Sequence, residues 1–235
     1  MKKLIIASTS TIHGSGYLEY LLPTLKQHFN NCTEIIFIPF ARPGGITHDA
    51  YTTIAKKAFA AINIKVKGLH ECDDYNHELK NAQGIFTGGG NTFLLVSQLY
   101  KYNIMPVLKN IITTGTPYLG TSAGSNICGL TMNTTNDMPI VYPPSFSTLG
   151  CVSFNINPHY LDPDPSSTHK GETRETRIKE FHKFNTVPVI GLREGSWLTV
   201  NDATITLNGD LDARVFEYNK PPYEVKPQHD FSDFN

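Results

Sequence analysis

The chain has 235 residues, of which 40% are hydrophobic and 17% charged, with a formal net charge of −1. A chain of that length can bury a core without metals or disulfides. The balanced charge gives no sequence-wide pull toward nucleic acid or anionic lipid, and there is no excess of Lys and Arg such as a basic DNA binder shows. One domain spanning residues 1–235 is expected, as monomer or homodimer, with neither nucleic acid nor membrane as partner.

After Met1-Lys2-Lys3, a short apolar run over residues 4–7 is interrupted by Ser8, Thr9, Ser10 and Thr11. A secretory signal needs a longer apolar region and a small-residue cleavage site, so the run predicts a first buried strand and a cytoplasmic protein. No stretch approaches the roughly 18 apolar residues of a membrane span. Cys32, Cys72, Cys128 and Cys151 form no CxxC pair and lack zinc-ligand spacing to histidine, and are read as reduced thiols.

Further strand-like runs follow at 34–38, 63–66, 84–87 and 117–120, with helix-like stretches near 17–29, 51–61 and 92–100 between them. This alternation predicts βαβ units and a mostly parallel sheet with helices on both faces. Beyond about residue 130, turn residues and prolines become dense. One more helix is expected near 172–184, and short strands at 187–192, 197–200, 204–207 and 214–218 predict a hairpin-rich C-terminal edge.

Gly120-Thr121-Ser122-Ala123-Gly124 lies between a strand-like run and a helix-like one. A strand that turns sharply into a helix holds its middle residue in a strained conformation and lifts the Ser122 hydroxyl clear of the sheet. The Ala123 amide can then face a developing oxyanion. A plain tight βα turn is the other reading. Thr87-Gly88-Gly89-Gly90-Asn91-Thr92 repeats the strand–turn–helix setting. It lacks the Lys-Ser/Thr ending of a phosphate loop, so Gly89 and Gly90 fit better as further oxyanion donors.

A nucleophilic serine needs a base. His28, His77, His182 and His229 lie in contexts that read as solvated, whereas His159 follows a strand-like run and Pro158, which restricts the backbone. The base needs an acid. Asp137 and Glu194 are the candidates, and Glu194 sits at the end of an apolar strand, before Gly195. The order Ser, His, Glu differs from that of the α/β-hydrolases.

These runs resemble the peptidase E family, aspartyl dipeptidases in the serine-peptidase group that also contains cyanophycinase. The resemblance is carried by Phe37-Ile38-Pro39-Phe40, Gly88-Gly89-Gly90-Asn91-Thr92-Phe93, Gly120-Thr121-Ser122-Ala123-Gly124 and Thr134-Thr135-Asn136-Asp137-Met138-Pro139-Ile140-Val141. It continues through Ile156-Asn157-Pro158-His159, His169-Lys170-Gly171-Glu172-Thr173-Arg174-Glu175 and Gly191-Leu192-Arg193-Glu194-Gly195. It implies a three-layer α/β sandwich similar to class I glutamine amidotransferase domains. It also implies a triad of Ser122, His159 and Glu194, and aspartate recognition by Arg174. Without the resemblance, Arg174 reads as a helix-surface ion pair.

The expected substrates are short peptides with an N-terminal aspartate, cleaved without metal or organic cofactor. Asp137 is a candidate partner for the substrate amine, and Asn91 for another substrate contact. Thr121, Tyr160 and Arg193 depart from the family pattern, at positions expected to touch the pocket rim. The connection over 160–171, rich in Pro, Asp and Ser, is expected to close over bound substrate. A cyanophycinase-like or isoaspartyl peptidase, or a silent binding protein on the same scaffold, are the alternatives.

Overall fold

The computed structural model describes residues 1–234 apart from Pro165, Ser167, His169 and Lys170. Five parallel strands form the frame: β1 (Lys3–Ala7), β2 (Glu34–Ile38), β3 (Lys65–Gly68), β4 (Ile85–Thr87) and β5 (Tyr118–Thr121). They lie in the order β3-β2-β4-β5-β1, and the antiparallel hairpin of β8 (Trp197–Asn201) and β9 (Thr204–Asn208) extends the sheet beyond β1 to seven strands.

Side-chain alternation assigns the two faces of this sheet. Ile5, Ala7, Ile35, Phe37, Phe86 and Leu119 join one buried cluster with Leu25 of α1 (Leu22–His28) and Ala55 and Phe59 of α2 (His48–Ala60). Leu4, Ile6, Ile36, Ile38 and Ile85 point into the other. There they meet α3 (Tyr75–Lys80), α4 (Thr92–Lys101), α5 (Met105–Thr114) and the short α6 (Ala123–Asn126). Strands buried on both faces read as continuous apolar runs, which is why residues 4–7 and 34–38 were legible as strands.

The C-terminal third departs from a single sheet with a long hairpin edge. Only β8 and β9 extend the main sheet. A second sheet has the order β11-β10-β7-β6, built from β6 (Asn155–Asn157), β7 (Val189–Gly191), β10 (Ala213–Phe216) and β11 (Tyr223–Val225). Within it β6 and β7 run parallel, pairing Ile156 with Ile190. Ile190, Leu192, Ala213 and Val215 pack into the cluster shared with α4 and α5. Tyr160, Val189 and Phe216 pack against Ile178 of α7 (Arg174–Phe181).

The four cysteines form no disulfide, and burial pushes the thiols of Cys32, Cys72, Cys128 and Cys151 up. That makes thiolate chemistry unfavourable. Among the described residues no helix is long and apolar enough to cross a membrane.

Candidate active site

The nucleophile candidate is held by glycine-dependent close approaches. A Cβ on Gly120 would lie 2.3 Å from the Gly124 carbonyl oxygen, and one on Gly124 would lie 2.2 Å from that of Thr87. Only glycine at both positions lets β5 turn into α6 against β4. Between them Ser122 adopts φ 54° and ψ −111°, a region costly for any residue with a side chain. The Ser125 hydroxyl secures the turn, its one proton shared between the carbonyls of Ala7 (2.6 Å) and Gly120 (2.7 Å).

His159 and Glu194 come from the other sheet, on the segments that leave the parallel pair β6 and β7. The ladder continues past the strands: the Tyr160 N–H donates to the Leu192 carbonyl at 2.9 Å. His159 has φ 53°. Its Nε2 lies 2.8 Å from Ser122 Oγ and its Nδ1 2.6 Å from Glu194 Oε1. An ionised carboxylate can only accept. Nδ1 therefore carries the proton of the neutral ring, and Nε2 is left to accept the serine hydroxyl.

The triglycine loop runs alongside. A Cβ on Gly89 would meet the Ser122 Cβ at 2.9 Å, so the loop backbone lies against the nucleophile. The amides of Gly88, Asn91 and Ser122 donate to the carbonyls of Ile38, Ala41 and Ala7. Those of Gly89, Gly90 and Ala123 have no acceptor among the described residues.

The remaining candidates divide. Asp137 Oδ2 accepts from the Thr92 amide and hydroxyl (both 2.7 Å) and from Thr135 Oγ1 (3.0 Å), which makes Asp137 a cap on α4. It does not touch His159 within hydrogen-bond range. Asn91 caps the same helix, accepting from the Leu94 amide at 3.0 Å, and donates to the Met138 carbonyl at 2.8 Å. Both polar ends of its side chain are therefore in structural use. Arg174 opens α7 and donates to the Pro158 carbonyl at 3.4 Å, which puts its guanidinium beside the residue preceding His159. It has no carboxylate within ion-pair distance among the described residues, so it is not the helix-surface ion pair that its position alone suggests. Burial lowers its pKa, opposed by the charges of Glu194 and Asp137, and it remains a cation.

Several expectations need correction. His28 is only partly solvated: its ring meets Phe29 edge-on at 4.7 Å and its Nε2 lies 3.1 Å from the Tyr118 carbonyl. His182 likewise places Nε2 2.9 Å from the Val187 carbonyl. The three departures from the family pattern are all tied into the protein, and Asp162, the partner of Arg193, lines a cavity together with Arg174. Thr121 is fully buried in β5. Tyr160 is buried against Phe216. Arg193 forks between Asp162 (2.7 Å) and Glu224 (2.8 Å). The connection over 160–171 includes Pro165, Ser167, His169 and Lys170, so the expected closing motion lies outside the described residues, as do His169 and Lys170 of the resemblance.

Two positioning residues carry little or no sequence signal. Asn126, on α6 one turn past Ser122, donates through Nδ2 to the Ile156 carbonyl of β6 at 2.7 Å. Ser8, fully buried after β1, accepts from the His159 amide at 2.9 Å and donates to the Leu192 carbonyl at 2.8 Å. The break of the first apolar run by a hydroxyl was the one available clue to Ser8.

A strained serine at the C-terminal edge of a parallel sheet, aligned with an imidazole and a carboxylate, defines the class of serine-type hydrolases. The family is narrower: residues 4–208 match Peptidase family S51, and the chain belongs to it. It is 48% identical over 230 residues to "Peptidase E" of Streptomyces coelicolor, an alignment covering 98% of this chain and 93% of that protein. It is 42% identical over 234 residues to "Probable alpha-aspartyl dipeptidase" of Drosophila melanogaster, covering 98% and 96%. A crystal structure of a peptidase from an acI-B1 Actinobacterium superimposes with a TM-score of 0.72 at 14% identity, covering 98% of this chain and 96% of that one. The fold is the class I glutamine amidotransferase-like α/β sandwich.

Proposed function

We propose that this serine-type dipeptidase removes the N-terminal aspartate from Asp-X dipeptides and short peptides through an acyl-enzyme on Ser122. The observation that carries the reading is the unbroken line from Glu194 through His159 to Ser122, with contacts of 2.6 and 2.8 Å, in a chain of this family.

In the first step Ser122 Oγ attacks the aspartyl carbonyl while His159 Nε2 takes its proton. Glu194 holds the tautomer and offsets the charge of the imidazolium. The N–H groups of Gly89, Gly90 and Ala123 receive the oxyanion, each such donor contributing roughly 3–4 kcal/mol in other enzymes. The imidazolium then protonates the leaving amine. Water, deprotonated by His159, hydrolyses the ester.

Arg174 binds the aspartate side chain. Its planar fork matches a carboxylate in bidentate fashion, and it is a half-buried cation whose only hydrogen bond among the described residues is a long one to a carbonyl. Asp137 is assigned to the substrate amine through Oδ1, the oxygen outside its capping bonds.

The test is a parallel assay of Asp-Leu, β-aspartyl-Leu, Glu-Leu and an aspartyl-arginine polymer. Turnover of Asp-Leu at least a hundredfold faster than the others is expected. Preference for the β-linked peptide or the polymer would replace this reading with an isoaspartyl or cyanophycinase-like one.

A further inference from the structure

Three glycines in a row carry no side chain to hold them, yet an oxyanion donor works only if it is aimed beforehand. The loop is held from beneath by Tyr51 of α2. Its hydroxyl donates to the Gly89 carbonyl at 3.2 Å in a buried setting, and a Cβ on Gly88 would lie 2.6 Å from the same oxygen. Gly88 is therefore the residue that gives this hydroxyl access to the loop.

Tyr51 is itself fixed on three sides. The Tyr17 hydroxyl lies 3.3 Å from its own. Phe37 meets its ring edge-on at 5.0 Å. The guanidinium of Arg42, which has no carboxylate partner among the described residues, sits 4.8 Å from the ring centroid. Burial raises the Tyr17 phenol well above its ordinary value, so Tyr17 stays a donor, and Tyr51 can accept from it while donating to Gly89.

The carbonyl of Gly89 and the N–H of Gly90 belong to one planar trans peptide and point in opposite directions. A hydroxyl that grips the carbonyl therefore aims the N–H. Gly89 thus meets Ser122 at its Cα and Tyr51 at its carbonyl, and the Gly90 amide has no acceptor among the described residues. We infer that Tyr51, supported by Tyr17, is a positioning residue that orients the Gly89–Gly90 peptide so that the Gly90 N–H meets the oxyanion formed at Ser122. The inference rests on the serine-nucleophile reading above. It goes beyond that reading by assigning function to two tyrosines on the far face of the loop.

The experiment compares wild type with Tyr51→Phe and Tyr17→Phe. Phenylalanine keeps the ring under Arg42 and against Phe37, so the fold is retained. Steady-state hydrolysis of Asp-Leu, inhibition by free aspartate and by an aspartyl aldehyde, and turnover of p-nitrophenyl acetate are measured. An aldehyde adduct on Ser122 carries the oxyanion, whereas aspartate does not. For Tyr51→Phe, kcat is expected to fall about tenfold to a hundredfold, less than the roughly hundred- to thousandfold cost of removing an oxyanion donor outright, because the Gly90 N–H is misaimed and not lost. KM and aspartate inhibition should stay within about twofold. Aldehyde affinity and ester turnover should fall in parallel with kcat. Tyr17→Phe is expected to lose only a few-fold.

Unchanged kcat in Tyr51→Phe, or a loss shared equally by aspartate and aldehyde, would overturn the inference. The aspartyl reading fails separately, through absent wild-type turnover of Asp-Leu. The ester assay still reports on Tyr51 in that case, because acyl transfer at Ser122 uses the same donors for any acyl group.

Discussion

The hydroxyl of Ser8 and the backbone amide of His159 are hydrogen-bonded at 2.9 Å, joining the end of β1 in the main sheet to a point two residues past β6 in the second. Since Ser8 also donates to the Leu192 carbonyl, one side chain sets the spacing between the sheets where the imidazole leaves the backbone. Ser8→Ala leaves a buried amide and a buried carbonyl without this partner, at about 1–3 kcal/mol of stability. Its kcat is expected to fall about tenfold or more with KM little changed. Steady-state kinetics and a denaturant titration read the two effects. A lowered midpoint with unaltered kcat would reduce Ser8 to a structural role.

Ser122→Ala is expected to lose activity by several orders of magnitude while the fold survives. Ser122→Gly should be equally inactive yet at least as stable as wild type, because glycine accepts the φ of 54° that serine holds under strain. Thermal unfolding of the two variants decides it. A glycine variant less stable than the alanine one would show that the elbow stores no backbone strain.

The two acidic candidates separate by substitution. Glu194→Gln keeps shape but cannot fix the imidazole tautomer, and kcat should fall at least a hundredfold. Asp137→Asn weakens the cap on Thr92 and α4, and should lower stability by about 1 kcal/mol. Under the amine assignment it should also raise KM for Asp-Leu. A larger loss of kcat in Asp137→Asn than in Glu194→Gln would reverse the assignment.

Arg174→Ala is expected to raise KM for Asp-Leu strongly, and Arg174→Lys to recover only part, since an ammonium group is not a planar fork. Hydrolysis of p-nitrophenyl acetate, which lacks the side-chain carboxylate, should be unaffected by either. An equal loss on both substrates would place Arg174 in the support of His159 through Pro158 instead.

His28 makes stability pH-dependent. Burial lowers its pKa from about 6.5 to about 4, a drop opposed by its bond to Tyr118 and reinforced by Lys3. Between those values the unfolded chain binds the proton and the folded one does not, so this contribution is complete above about pH 6.5. It is lost as the pH falls toward 4. Denaturant midpoints measured at pH 7 and 4.5 should differ less in His28→Gln than in wild type. An identical difference in both would show that His28 is not desolvated.

The parallel strands were legible because burial on both faces writes a continuous apolar run. The helices over residues 17–29 and 92–100 were legible by their alternation with those strands. α3 and α5 carry weak signals: α3 has only six residues, and α5 opens on Met105-Pro106, where proline reads as a break although it is tolerated in a helix's first turn. The second sheet was not separable from the first, since short strands carry no label for their partner. Ser122 and the triglycine stand out because glycine spacing is local. Asn91 caps its own helix through a local bond, whereas Asp137 caps it from a loop some 45 residues away in the chain, beyond any local pattern.

Ser122 and the loop of Gly89 and Gly90 belong to the main sheet, whereas His159 and Glu194 belong to the second. The reacting hydroxyl and the base that activates it thus meet across a seam and are built into no single rigid element. A displacement of about 1 Å between catalytic groups can lower a rate a hundredfold. Catalysis is accordingly a gauge of that seam. A substitution at Asn126, which ties α6 to β6, would slow the enzyme by loosening that seam, with every reacting group still present and the shared core still in place.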